Sequence, residues 1–376
     1  MVVESTKRAL VLCVLTCGGV EGLEFGGMGN TSFGMGGAGV ALENSAWGLY
    51  YNPALLDIDD RTKFAYSFGV SVAQKNILSS VNSVEASMGG GPSSFYPPRI
   101  ARLNGAHASS QNGLVVQIHP KLKKIKGGIG TFAMGVFASG FVGADILVNN
   151  PNNLYSNSNT AEARGLVLGS IPIGYAKGFD FHKGGKLSIG VDFRYIYSLS
   201  YGIGAPIDQL RNVTLDLSDM MKQSHFGLDL GAAYRIKGFT VGLVGKYLNA
   251  PKIKFNNQIS SMRIDPQVRL GLGYRYKWLN LAWDLDLTSN KTLMLGRYSQ
   301  MTGGGIMASF KWFAIKFGAM GNIASESLHQ GIILTGGLRF FRVLDISVQS
   351  GLQTMAFNNI RLPNYLAVRV GGGWEW

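Results

Sequence analysis

The sequence predicts an all-β fold, a transmembrane antiparallel β-barrel of about fourteen strands with an N-terminal plug inside the lumen. Three observations carry that expectation. The last residues alternate strictly, with Leu366, Val368, Val370, Gly372, Trp374 and Trp376 on one face and Ala367, Arg369, Gly371, Gly373 and Glu375 on the other. The same pattern recurs from Arg61 onward, and the connections between the alternating runs are long and short in turn. A period of two belongs to a strand, whose side chains point to opposite faces. Terminal aromatics leave apolar area in water, whereas a lipid–water interface favours them.

Composition agrees. Of 376 residues, 52 are Gly and 11 are Pro, and charged residues are 15%, against a typical ~25%. Hydrophobic content is an ordinary 46%, so apolar residues alternate with small or polar ones instead of filling a greasy core. The net charge is +13. A basic surface suits nucleic acid, but for an exported chain anionic lipid head groups are the natural partner.

Residues 1–22 read as a secretory signal peptide. Lys7 and Arg8 are its basic region, residues 9–16 its short apolar run, and Val20 and Gly22 the small residues before the cut. The run is shorter than the ~20 residues of a spanning helix. Lipid modification at Cys17 is the alternative, although Val14-Leu15-Thr16 is a poor approach sequence for it. Cys13 and Cys17 are the two cysteines, so cleavage removes any disulfide or thiolate metal site. An exported chain without spanning helices crosses a membrane as a closed barrel. The expected location is therefore the outer membrane of a Gram-negative bacterium.

Residues 23–60 do not alternate. They are too apolar for a disordered tail and too Gly-rich for a self-standing helix, but would fold if a lumen covered them. The run GMGGAGVALENSAWGLYYNPALL, Gly34 to Leu56, carries the motif Asn52, Pro53, Ala54. It resembles the N-terminal signature of the outer-membrane family that takes up long-chain fatty acids and aromatic hydrocarbons. It resembles equally the related TraF-type outer-membrane proteins, named for a conjugal-transfer protein. The motif spans some two dozen residues, and the rest of the resemblance is architecture. The fatty-acid family implies fourteen strands and an N-terminal hatch, matching the count from alternation. It also implies a path from an external hydrophobic groove, past the hatch, to a lateral opening. This chain is shorter than typical fatty-acid transporters, which implies a reduced external capture site. Pro53 restricts Asn52 to extended backbone, making a rigid corner. Gly34, Gly36 and Gly39 also satisfy a dinucleotide-binding spacing, but no apolar strand precedes them and no crossover unit follows.

The barrel, residues 61–376, is expected to place strands of about ten residues near 62–74, 112–119, 127–146, 163–177, 185–199, 223–236 and 238–247. The second half places them near 264–277, 279–288, 299–310, 313–320, 330–340, 342–350 and 364–376. Outer-membrane barrels have short periplasmic turns and long external loops by construction. On the luminal face fall Arg194, Arg235, Arg269, Arg275, Lys316, Arg339 and Arg369, with Asp192, Asp229, Asp284, Asp286, Asp345 and Glu375. Both signs together suggest cross-strand pairing. A two-residue turn at Lys277-Trp278 sets Arg269 opposite Asp286, so Arg269, Arg275, Asp284 and Asp286 form a charge ladder.

Two external stretches have helical spacing: Ile77, Val81, Val84 and Met88, and Leu215, Leu217, Met220 and Met221. They read either as loop caps or as a greasy landing surface for a hydrophobic ligand, where Met suits varied shapes. Lys121, Lys123, Lys124 and Lys126 crowd one connection, as a periplasmic docking site or a solvated turn near anionic lipid. His107, His119, His182, His225 and His329 lack metal spacing. Ser224 and His225 are neighbours whose side chains point to opposite faces, so they make no hydrolase pair. Neither catalysis nor a cofactor is expected. The expected partners are lipid and lipopolysaccharide, a hydrophobic small molecule, and the barrel-assembly machinery. The aromatic end at Trp374 and Trp376 resembles the signal read by that machinery, so removing Trp376 should impair assembly more than function. Two functions remain: passive uptake of small hydrophobic molecules such as fatty acids, gated by the plug, or a structural, assembly or secretion-associated envelope role.

Overall fold

A computed structural model describes residues 27–43, 45–59, 61–75, 105–120, 128–147, 149–150, 159–181, 184–206, 209, 217–256, 259–293, 298–324, 331–341, 343–357 and 360–376. Fourteen strands form a closed antiparallel barrel. They are β1 Lys63–Lys75, β2 Gly105–Ile118, β3 Thr131–Leu147, β4 Thr160–Phe181, β5 Gly185–Pro206, β6 Met221–Ile236 and β7 Phe239–Lys246. The second half comprises β8 Gln267–Tyr276, β9 Leu279–Asp286, β10 Met301–Ser309, β11 Phe313–Asn322, β12 Ile332–Phe340, β13 Leu344–Gly351 and β14 Tyr365–Glu375. Each strand pairs with its neighbour in sequence, and β14 closes on β1 with Phe64 opposite Trp374 and Val70 opposite Val368. Among the described residues no helix is long and apolar enough to cross a membrane.

Alternation decides which way each side chain points. Phe68, Val70, Val72, Ile173, Phe193, Phe226 and Leu334 are exposed on the outer face, while Ser67, Asp192, Arg194, Asp229, Lys316 and Ser347 are buried on the inner one. A soluble protein would place these two sets the other way round. Lipid around a closed wall reverses the preference, since outward apolar side chains then leave water. Trp374 stacks on Phe64 at 5.5 Å, and Trp376 completes the seam through Trp376 N–H to Thr62 O at 3.0 Å.

Strands run longer than expected, β5 and β2 at the end remote from the start of β1 and β4 at both ends. β4 and β5 run to 22 residues each, and β2 starts at Gly105, well before the expected position. The stretch from Ala106 to Gln111 is small and polar on both faces, so it shows no apolar alternation although its backbone pairs. Leu217 to Met221 forms no helix. Leu217–Asp219 is a single 3-10 turn, and Met221 already pairs with Ser200 as the first residue of β6. Backbone pairing along the extended β5 overrides the helical spacing there. Ile77, Val81, Val84, Met88, Leu215, the four lysines at 121–126 and the leader over 1–22 lie outside the described residues.

Candidate functional site

The residues before β1 supply what the wall encloses. Residues 27–59 hold two short helices, α1 Asn30–Gly34 and α2 Gly48–Tyr51, and a 3-10 turn at Pro53–Leu56. Elements this short do not persist alone. They are buried against the inner face: Met28, Met35, Leu49, Tyr51, Asn52, Leu56 and Ile58 are within a few per cent of full burial. The wall makes room with glycine. A Cβ on Gly231 would lie 2.0 Å from Asn52 Oδ1, one on Gly190 2.4 Å from the Pro53 carbonyl carbon, and one on Gly303 2.1 Å from Gly36 O. Gly242, Gly273 and Gly371 meet Val40, Ala41 and Asn30 in the same way.

An irregular buried backbone must find partners for its N–H and C=O groups. Wall side chains provide them. Asp284 accepts from Gly39 N–H at 2.8 Å and Val40 N–H at 3.0 Å. Gln349 donates to Phe33 O at 2.8 Å, Gln117 to Leu56 O at 2.9 Å, and Arg235 to Ile58 O at 2.9 Å. Lys316 donates to Asn30 O at 3.1 Å while pairing with Asp345. Asn52 is the corner of the arrangement. Its Oδ1 caps Ala54 N–H at 3.0 Å, and its Nδ2 donates to Val40 O at 3.0 Å and to Ala232 O of β6 at 3.2 Å.

The expected cross-strand pair exists, since Arg269 faces Asp286 across a two-residue turn and bonds it at 2.5 Å. Arg194 bridges Asp192 at 2.7 Å and Asp229 at 2.8 Å. Arg275, by contrast, is no member of the buried ladder. It lies exposed beside the Lys277-Trp278 turn, opposite Asn280 and beyond the buried charges. Glu375 likewise stands at the rim, bonded to Arg61 at 2.6 Å. Ser224 bonds Tyr195 on the outer face while His225 meets Ser198 inside, so the two neighbours point apart as their alternation requires.

At the terminal rim the segment is tied down by charge. Asp59 accepts from Arg61 Nε at 2.7 Å, with Lys63 Nζ 3.3 Å away. Burial alone would raise the Asp59 carboxyl, but the Arg61 hydrogen bonds and the Lys63 and Arg61 charges outweigh it and hold it at about 2. A carboxyl depressed on folding contributes stability above its ordinary value near ~3.9, and that contribution is lost as pH falls toward 2. Asp59→Asn should therefore cost roughly 1 kcal/mol at pH 7, discounted for the part-exposed Arg61. The difference from wild type should shrink in urea titrations as pH falls through 2; a pH-independent difference would contradict the pairing.

Two apolar features were hidden from sequence reasoning. Behind β3 the segment presents Trp47 and Tyr50 to Phe137, at ring distances of 6.1 and 5.5 Å. There the β3–β4 ladder is incomplete. Met134 faces Ile173 and Phe137 faces Ser170 in one continuous register, but the rungs between, at Gly135–Val136 and Ile171–Pro172, are unformed. Pro172 has no N–H to donate. The Phe137 ring folds over Gly135, 2.9 Å from where a Cβ would stand. Toward the far end, Phe141, Leu166, Leu168 and Ile196 point inward and pack with Ile253, Phe255, Met262 and Ile264 of the hairpin between β7 and β8. Apolar residues on both faces of β3 were the available signal, together with a proline inside a strand run. Between segment and wall, two cavities of about 20 and about 10 Å³ adjoin Gly36, Arg269 and Asp284, and Phe33 and Arg369; each admits about one water molecule.

The family model described as "F plasmid transfer operon, TraF, protein" matches residues 99–286, half of the chain. No curated protein matches by sequence. Among solved structures, the toluene transporter TodX of Pseudomonas putida is similar with a TM-score of 0.52 at 11% identity, covering 95% of this chain and 99% of that one. The toluene transporter TbuX of Ralstonia pickettii has a TM-score of 0.53 at 12% identity, covering 94% and 99%. The TodX deltaS2 mutant, a monoaromatic hydrocarbon channel, has a TM-score of 0.55 at 12% identity, covering 94% and 99%. At these identities the likeness is one of fold.

Proposed function

This chain belongs to the TraF family of the F plasmid transfer operon, and on that premise we propose that it is an outer-membrane barrel for passive uptake of small hydrophobic molecules. Residues 27–59 act as its plug. Aromatic hydrocarbons and fatty acids are the substrate class, because apolar molecules cross a polar outer leaflet poorly and an apolar path spares them a water-filled pore. The observation that carries this reading is the unformed pair of rungs at Gly135–Pro172, backed on the luminal side by Phe137, Trp47 and Tyr50. A molecule that displaced this aromatic set would stand at a weak point in the wall, with the lipid-facing side chains of β3 and β4 just beyond.

The path would begin in the far-end apolar cluster of Phe141, Leu166 and Ile196 under the hairpin. The two cavities between plug and wall are water-sized, so passage there would require the plug to shift about the Asn52–Pro53–Ala54 corner. The fold of hydrocarbon channels agrees with this reading. A second reading, an envelope or secretion-associated barrel that transports nothing, draws on the same filled lumen and on the family's printed name. Uptake of radiolabelled toluene and oleate by cells with and without the chain separates the two. Uptake above the deletion strain for at least one probe is expected; equal uptake of both would leave the structural role.

A further inference from the structure

The segments joining consecutive strands on the side of the barrel where β1 starts and β14 ends share one charge. Their sequences are 119–130, 182–184, 237–238, 277–278, 310–312 and 341–343. Each holds at least one Lys or Arg, and none holds an acid. The connections at the other end mix both signs, with Asp216, Asp219, Asp265 and Glu326 among their bases. Lys237, Lys277 and Lys311 are exposed at the tips of three successive hairpins. Lys237 and Lys277 occupy left-handed backbone, at φ 48° and 51°, where Gly or Asn is the ordinary choice.

Aromatic rings join these turns. Trp278 stacks on Phe310 at 5.9 Å and 15°, Phe310 meets Phe313 at 4.8 Å, and Trp312 meets Phe341 at 5.9 Å. Lys277 sits 5.1 Å over the Tyr276 ring and Lys311 5.3 Å over the Trp312 ring. All five linking rings are exposed, and the apolar outer wall of β8 to β12 runs straight into them. Of the described acids near this rim, Asp57 accepts from Thr131 and from Gly178 N–H, Asp59 and Glu375 are taken by Arg61, and Asp180 stands on β4, outside the arc.

We infer that the turns from β6–β7 to β10–β11 form a binding arc for anionic phospholipid of the leaflet they face. The rings would lie at the glycerol level, and Lys237, Lys277 and Lys311 would meet the phosphates. Lipid is the occupant because the arc is continuous with the lipid-facing wall and its charge is complementary to anionic head groups. The inference stands apart from transport, since it uses none of the plug or the β3–β4 gap.

The test uses the full chain in nanodiscs of equal phosphatidylglycerol and phosphatidylcholine, released into the gas phase for native mass spectrometry. Wild type should retain phosphatidylglycerol over phosphatidylcholine by ~10-fold or more, a few-fold for each turn cation. Raised salt should erase the preference, as exposed charges are screened. The triple variant Lys237→Gln, Lys277→Gln, Lys311→Gln should lose it while keeping the heat-modifiable mobility of a folded barrel. Equal retention by wild type, a preference insensitive to salt, or an undiminished preference in the folded triple variant would each overturn the assignment. Should the triple variant not fold, wild type and its salt dependence decide the matter.

Discussion

Replacing Arg194 with methionine will cost the barrel about 3–5 kcal/mol, the usual penalty for removing one partner of a buried ion pair. Arg194 lies between Asp192 and Asp229, and all three are almost fully buried. Methionine fills similar volume, so the loss is charge and hydrogen bonds, leaving two carboxylates with nearby Lys246 as their remaining cation. Asp229 is further committed to the Tyr247 N–H at 2.9 Å, where the chain leaves β7. The midpoint of urea unfolding in lipid vesicles should fall for Arg194→Met. It should recover in part when Asp192→Asn and Asp229→Asn are added, because the two buried carboxylates that lost Arg194 are then neutral, while Lys246 loses their charge. An unchanged midpoint in the single variant would show that water reaches this cluster and that the lumen is not packed as described.

Deleting residues 27–48 will convert a closed barrel into a conducting one. An eight-stranded barrel is about filled by its own side chains, whereas sixteen to eighteen strands enclose a water channel. Fourteen strands whose inner face carries Gly190, Gly231, Gly242, Gly273 and Gly303 leave space that the N-terminal segment occupies. The wall should still close, because every ladder from β1–β2 round to β14–β1 is strand on strand. Planar-bilayer recordings should change from silent to steady, porin-like conductance, with heat-modifiable mobility retained. A silent deletion variant would mean that the wall closes the lumen unaided.

Much of the barrel was legible because lipid outside and polar groups inside impose one period on every strand. Leu187 to Tyr197 and Val268 to Tyr276 show it plainly, and the two-residue turn at Lys277-Trp278 was enough to place Arg269 against Asp286. What was not legible depends on depth, which alternation does not encode. Arg275 shares the luminal parity of Arg269 but lies beyond the buried zone. Alternation makes Asp284 a rung of a charge ladder, whereas its carboxylate is committed to the backbone of Gly39 and Val40. The luminal glycines were visible as composition, yet a glycine does not announce which chain approaches it. The helical spacing of Leu217 to Met221 misled because pairing along an extended strand outweighs a short amphipathic pattern.

In the proposed uptake, apolar cargo leaves the barrel through the weak rungs between β3 and β4. Met134→Cys with Ile173→Cys places two thiols on the paired positions that border the unformed rungs, both on the outer face, where directly opposed strand residues can form a disulfide, in a chain whose own cysteines are at positions 13 and 17. Toluene and oleate uptake should then be measured in cells bearing this variant, oxidised and reduced. Oxidation should lower uptake to that of cells lacking the chain, and a reductant should restore it. Uptake that is equal with the staple closed and open would contradict the lateral path.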